Sequence, residues 1–421
     1  MPFAAWIASK YFVPFYRKSH EISAYTHLEH RFGPWARTYA VICFLLTQIA
    51  RMGSIFFGIA LSLQALLGYP MAAIMIVMGV CIIIYTVMGG MEAVIWTEVI
   101  QAVIKTLGAF LILYLIIHEM PGGVSAIIAT GQRDQKFSLG SFSPDFTEAG
   151  FWVILFYGFF INLNNFGMDQ NYVQRYHTAT SKKQAARSIW LCVVMYVPAS
   201  LLFLIIGTSL YAYYQVQPQQ IKSIAGTLQP SDYGDKVLPH FMVTKMPTGL
   251  VGLIVSAILS AAMSTISSGM NASATVFTVD IFKRYFGPGI NDRKQLFILQ
   301  LFTFIFGVLG LLTGIAMIGS KSVLDTWWEL SGIFAGGMLG LFLLGIVSNR
   351  TSSHEAFIAT MLGLLIILWM SLSHLLPPKY EFLRNPLNKN MVIVIGTLTI
   401  FLAGLLITYT RRSLPVTEIK R

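Results

Sequence analysis

Residues Ser256–Asp280 read SAILSAAMSTISSGMNASATVFTVD, and the reading of this stretch decides what kind of chain this is. It lies in an apolar run long enough to cross a bilayer, for which about 20 residues suffice. Yet its middle carries Ser260, Ser264, Thr265, Ser267, Ser268, Asn271, Ser273 and Thr275. On a helix, Ala261, Ser264, Thr265 and Ser268 follow one another at i, i+3, i+4 and i+7 and share a face. Ser264, Ser267 and Ser268 make a second, overlapping cluster. Two readings stand side by side. Small hydroxylated residues let membrane helices approach closely, each hydroxyl bonding back to its own turn. The same oxygens also suit a monovalent cation stripped of water.

Composition widens the view. The chain has 421 residues, 55% hydrophobic and 11% charged, with a mean hydropathy of +0.67. A soluble domain carries about 25% charged residues, so this is an all-α polytopic protein of the lipid bilayer. The pattern predicts one transmembrane domain over 1–421. A partial helix is expected at 1–18, a tail at 412–421, and ten full spans at 38–67, 70–90, 92–117, 150–168, 186–214, 248–278, 296–318, 325–347, 354–376 and 391–411. Gly89-Gly90 marks the turn between the second and third. Most of the 29 lysines and arginines fall in alternate loops, which assigns those loops to the cytoplasm of a multi-pass cell-membrane protein. That placement removes nucleic acid as a partner, and no obligate protein partner is inferred. Cys43, Cys81 and Cys192 all sit in apolar runs, giving neither a disulfide framework nor a metal cluster. No HExxH, GxSxG or paired catalytic carboxylates occur, so an enzyme is not expected.

Ionisable groups at membrane depth cost a few kcal/mol each. Arg51 lies near the middle of its span. It is either a structural arginine or a bidentate clamp for a carboxylate. Glu98 either pairs with Lys105, seven residues on, or serves a cation, and Lys105 has the further option of reaching outward. Asn162, Asn164, Asn165, Asp169 and Gln170 crowd the end of the span 150–168, either as an interfacial helix end or, for Asn162, facing a cavity.

Three runs then carry a resemblance. Tyr85-Thr86-x-x-Gly89-Gly90-Met91-x-Ala93 with Ile95-Trp96-Thr97-Glu98-x-x-Gln101, the run Asn162 to Tyr176, and Ser260 to Arg284 resemble, in order and spacing, the sodium/solute symporter family. The resemblance implies a LeuT-type bundle of two inverted five-helix repeats around a midplane site. Residues 1–18 then match the end of the second core helix, so the family's first core helix is expected to be missing, as in an N-terminally truncated chain. It implies sodium held by Ala261, Ser264 and Thr265, and a second sodium at Ser264, Ser267, Ser268 and Glu98, where glutamate replaces the usual aspartate. For the solute it implies Arg51, Asn162, Asn165 and Trp328. Asn165 and Trp328 stand where sugar carriers have a tyrosine and a glutamine, and Arg51 stands where sialic-acid carriers have a carboxylate-binding arginine. The expected function is sodium-coupled symport of a small organic solute, an acidic sugar or other organic anion, with no cofactor beyond the coupling ion. The alternatives are a neutral-sugar symporter or a non-transporting truncated or sensory homologue, and the short tail argues against a signalling domain.

Overall fold

The computed structural model describes residues 1–19, 23–220, 230–287, 289, 291–319 and 323–413, apart from the side chains at 19, 90–93, 230–233, 235–236, 248, 323–331, 375 and 412–413. The chain opens with α1 (Pro2–Ile7) and α2 (Val13–Ser19), joined by a π-helical turn at Ala8–Phe12, and the short α3 (Thr26–Phe32) follows. Next come α4 (Pro34–Leu67), α5 (Met71–Glu119), α6 (Gly123–Arg133), α7 (Phe151–Met168), α8 (Gln170–Thr178) and α9 (Lys182–Val216). Then come α10 (Pro230–Lys245), α11 (Thr248–Val276) continued by a π-helical turn at Phe277–Phe282, α12 (Asp292–Ala316), α13 (Val323–Val347), α14 (Ser353–Leu372) and α15 (Met391–Ser413). Among the described residues, nine helical segments are long and apolar enough to cross a bilayer. The tenth expected span, 325–347, is α13, whose described apolar part is Gly332–Val347.

α5 runs as one helical stretch through Gly89-Gly90, yet it holds two of those segments, Met71–Gly89 and Val94–Glu119. A straight helix would put Tyr85 and Gln101 about 24 Å apart, but the Tyr85 hydroxyl lies beside Gln101 and Ser267. Tyr85 also donates to the Met263 carbonyl at 3.2 Å, while Lys105 reaches the neighbouring Ser264 at 3.1 Å. The helix therefore folds back on itself, and both legs of α5 meet α11 at the same level. The reversal falls between Tyr85 and Gln101, the interval that holds the glycine pair.

Close approach of backbones sets the rest of the packing. A Cβ on Gly53 would come within 2.6 Å of Thr313, and one on Gly310 within 2.8 Å of Met52. α4 and α12 thus cross at glycines, where dispersion and packing replace the hydrophobic drive that lipid removes. The outer faces of α9 and the second leg of α5 present Leu191, Val194, Phe203, Leu204, Val103 and Leu107 to the surroundings, the pattern of lipid-facing helices.

On the side assigned to the cytoplasm, His27 of α3 is wedged between Phe15 and Phe342, with ring centroids 4.6 and 6.4 Å away. Burial pushes His27 down from 6.5 to about 4. Between those two pH values the unfolded chain takes up a proton that the folded chain refuses, so stability falls as the pH drops through the window. Partial solvent contact limits the effect to roughly 1–2 kcal/mol. Thermal melts of wild type and His27→Gln in detergent at pH 7 and pH 4.5 check this. The variant is expected to lose less stability on acidification, and parallel pH profiles would remove His27 as the cause.

Candidate functional site

The site is organised by a break. α7 ends at Met168, Asp169 takes an extended conformation (φ −77°, ψ 117°), and α8 starts at Gln170. Interrupting a membrane helix frees backbone carbonyls that need donors, and three tyrosines supply them. Tyr176 donates to the Phe166 carbonyl at 2.9 Å, Tyr16 to Gly167 at 2.6 Å and Tyr25 to Met168 at 2.9 Å. Asp169 caps α8, its Oδ1 accepting from the Asn171 backbone N–H at 2.8 Å and from Asn171 Nδ2 at 2.7 Å. The polar run expected as an interfacial helix end is instead this mid-bundle break.

A cavity of about 140 Å³ opens beside it. One water needs only about 10–15 Å³ by such a measure, so there is room for a small organic solute. α4 contributes Phe44, Thr47, Gln48 and Arg51 at i, i+3, i+4 and i+7, and α7 contributes Tyr157, Ile161, Asn164 and Asn165. Asp169, Tyr172, Ala335 and Met338 complete the wall. Arg51 Nη1 stands 3.9 Å from Asp169 Oδ2, with the arginine side chain 35% exposed. Gln48 and Asn164 are 1% and 6% exposed, yet Gln48 Oε1 and Asn164 Oδ1 have no hydrogen-bond partner. Buried oxygens of this kind are normally satisfied; both residues line the cavity, and Gln48 Oε1 faces Gly269 of α11.

Of the solute residues expected from sequence, Arg51 and Asn165 line this cavity. Asn162 does not. It lies on another face of α7, where its amide donates to the Gly158 carbonyl one turn back at 2.6 Å. Trp328 falls outside the described side chains. The sequence reading missed Thr47 and Gln48, though their helical spacing from Arg51 was a usable signal, and it named Asn164 without separating it from its neighbours.

The hydroxyl stripe lies on α11, facing both legs of α5. Thr265 Oγ1 approaches the Ala261 carbonyl at only 3.4 Å, and Ser268 donates to the Ser264 carbonyl at 3.0 Å. Ser267 Oγ is fully buried, and Gln101, 6% exposed, lies across from it, both beside the Tyr85 hydroxyl. Two sequence expectations change here. Glu98 pairs with Arg175 of α8, both carboxylate oxygens lying 2.9 Å from Nη2, in place of the alternative pairing with Lys105. Lys105 does not reach outward but turns inward to Ser264.

A broken mid-bundle helix flanked by a polar cavity and a hydroxylated helix defines a secondary transporter of the LeuT type. The model of the sodium:solute symporter family matches residues 1–363, and the chain belongs to that family. It is 30% identical over 403 residues to the sodium/sialic acid symporter NanT of Aliivibrio fischeri, across 95% of this chain and 77% of the relative. It is 31% identical over 398 residues to the sodium/sialic acid symporter SiaT of Proteus mirabilis, across 94% and 76%. A solved structure of a Na⁺-coupled sialic acid symporter, substrate-bound and outward-open, superposes with a TM-score of 0.82 at 28% identity, covering 97% of this chain and 82% of that one.

Proposed function

We propose that the protein carries a small organic anion, of the acidic-sugar class, together with sodium across the cell membrane. The observation that carries this reading is the cavity at the break, which Arg51 lines together with the amide residues Gln48, Asn164 and Asn165. A guanidinium presents paired donors to a carboxylate, while side-chain amides both donate to and accept from hydroxyl or amide groups. A solute with one carboxylate and several hydroxyls satisfies both. A neutral hexose offers the guanidinium no carboxylate, leaving it with Asp169 at 3.9 Å. The naming of NanT and SiaT as sialic acid symporters supports the same class.

Ala261, Ser264 and Thr265 are the residues proposed to hold sodium, with Ser264, Ser267, Ser268 and Glu98 as candidates for a second ion. Coupling requires that each ligand binds better when the other is present. Gln48 offers a route. It lines the solute cavity and abuts Gly269, beside Ser268, since a Cβ there would lie 3.3 Å from Gln48 Oε1. Sodium that fixes α11 thereby fixes one wall of the solute cavity.

The test is uptake of labelled N-acetylneuraminate into proteoliposomes under an inward sodium gradient. The expected result is saturable uptake that choline does not support and that about 100-fold excess glucose or galactose leaves unchanged. Sodium-driven uptake of either hexose, or acid uptake equal in choline, would overturn the assignment.

A further inference from the structure

Lys105 is the feature that a sodium site does not explain. Its neighbours Val103 and Leu107 are exposed on the outer face of α5, but its own side chain turns the other way. Its Nζ donates to Ser264 Oγ at 3.1 Å. The group it meets is the hydroxyl common to both proposed sodium sets. Around that contact lie the buried Ser267 and Gln101, beside the Tyr85 hydroxyl, and the Met263 carbonyl that accepts from Tyr85. The carboxylate on this side, Glu98, is near enough to act on Lys105 but is held by Arg175, and among the described residues no acid hydrogen-bonds the ammonium.

We infer that Lys105 is a tethered cation whose ammonium and a sodium ion are alternative occupants of the position at Ser264, so that Lys105 sets how tightly this chain binds sodium. The inference rests on the sodium-coupled reading above. An ammonium and a sodium ion both draw on the lone pairs of the Ser264 hydroxyl, so one bound there sets its charge directly against the other. Two unit charges about 4 Å apart at an effective dielectric near 20 repel strongly enough to change a binding constant about a thousandfold. Sodium therefore binds only when Lys105 swings away on its four-carbon stem. That rotation is sterically cheap but surrenders the Ser264 hydrogen bond and moves the charge toward apolar surroundings. The device gives the empty carrier a cation of its own at the point where α5 and α11 meet. It holds the two helices together without sodium and yields to the ion when the ion arrives.

The experiment is equilibrium binding of ²²Na⁺ to the purified full chain in detergent, with potassium and choline as control cations, for wild type, Lys105→Met and Lys105→Gln. The thermal shift produced by sodium chloride over choline chloride is the second readout. Methionine keeps the stem volume and removes the charge, and glutamine guards against a methionine-specific folding defect. Both variants are expected to bind sodium at least tenfold more tightly than wild type and to show a larger sodium-induced thermal shift. Ser264→Ala in the Lys105→Met background is expected to reverse the gain. Equal sodium affinity in wild type and both variants overturns the inference and leaves the sodium-coupled reading standing. Weaker sodium binding in the variants likewise overturns it, because Lys105 would then support the site. Absence of sodium-specific binding from all three overturns the inference and the coupled reading together.

Discussion

Asp280→Ala is expected to lower the stability of the protein by about 3 kcal/mol or more, the usual consequence of removing one partner of a buried ion pair. The Asp280 side chain is 0% exposed and its two oxygens are both used. Oδ1 accepts from Arg37 Nε at 2.7 Å and from a second Arg37 nitrogen, and Oδ2 accepts from Ser23 at 2.7 Å. Without Asp280, Arg37 keeps only Glu29 at 2.7 Å, and Glu29 is shared with Arg284. The network joins the start of α4 to the π-helical turn after α11, so its loss frees both helices on the same side of the bundle. Unfolding in mixed detergent micelles measures the effect. Arg37→Met with Asp280→Leu is expected to recover at least half of the loss, because a well-packed apolar pair replaces a buried charge pair without leaving a charge alone. A stability within about 1 kcal/mol of wild type for Asp280→Ala would mean that water reaches Arg37 freely and that the pair is ornamental.

This network shows where sequence reading stops. The spans were legible because twenty apolar residues in a row leave the chain few alternatives in a bilayer. A reversal within α5 was legible for a related reason, since paired glycines between two apolar runs mark where a helix can reverse. Arg51 and Asn165, which line the cavity, stood out in the sequence because a charge or amide at membrane depth needs a purpose. Their partners were not. Tyr16, Tyr25 and Tyr176 are separated by up to 160 residues, and nothing local marks a tyrosine as donor to a broken helix far along the chain. Asn162 was misplaced because a polar residue one position from the cavity face looks the same in sequence as one on it. Glu98 and Lys105 were read as a possible pair from their spacing on one helix, whereas tertiary packing brought each a nearer partner, Arg175 and Ser264.

Arg51→Lys carries the other large expectation, a loss of roughly 10- to 100-fold in affinity for the acidic solute. Lysine keeps the charge but gives up the paired donors that match a carboxylate, and one charged hydrogen-bonded contact is worth about 1.5–3 kcal/mol. The competing explanation is that Arg51 serves only to neutralise Asp169, 3.9 Å away. The two accounts differ in what they say about Asp169→Asn. Asparagine still caps α8, since its side-chain oxygen accepts from a backbone N–H as the aspartate does, so the break survives the change. If Arg51 serves Asp169, removing the acid leaves the arginine unserved, and Asp169→Asn should harm the protein as Arg51→Lys does. If Arg51 serves the solute, Asp169 is a resident anion that the solute has to displace or face, and its neutralisation should tighten binding of an acid several-fold. Isothermal titration with N-acetylneuraminate on the purified chain in saturating sodium separates them. Opposite signs for the two variants support the carboxylate clamp. Parallel losses, or a solute affinity that Arg51→Lys leaves unchanged, would make Arg51 a structural residue and return the solute class to the neutral sugars.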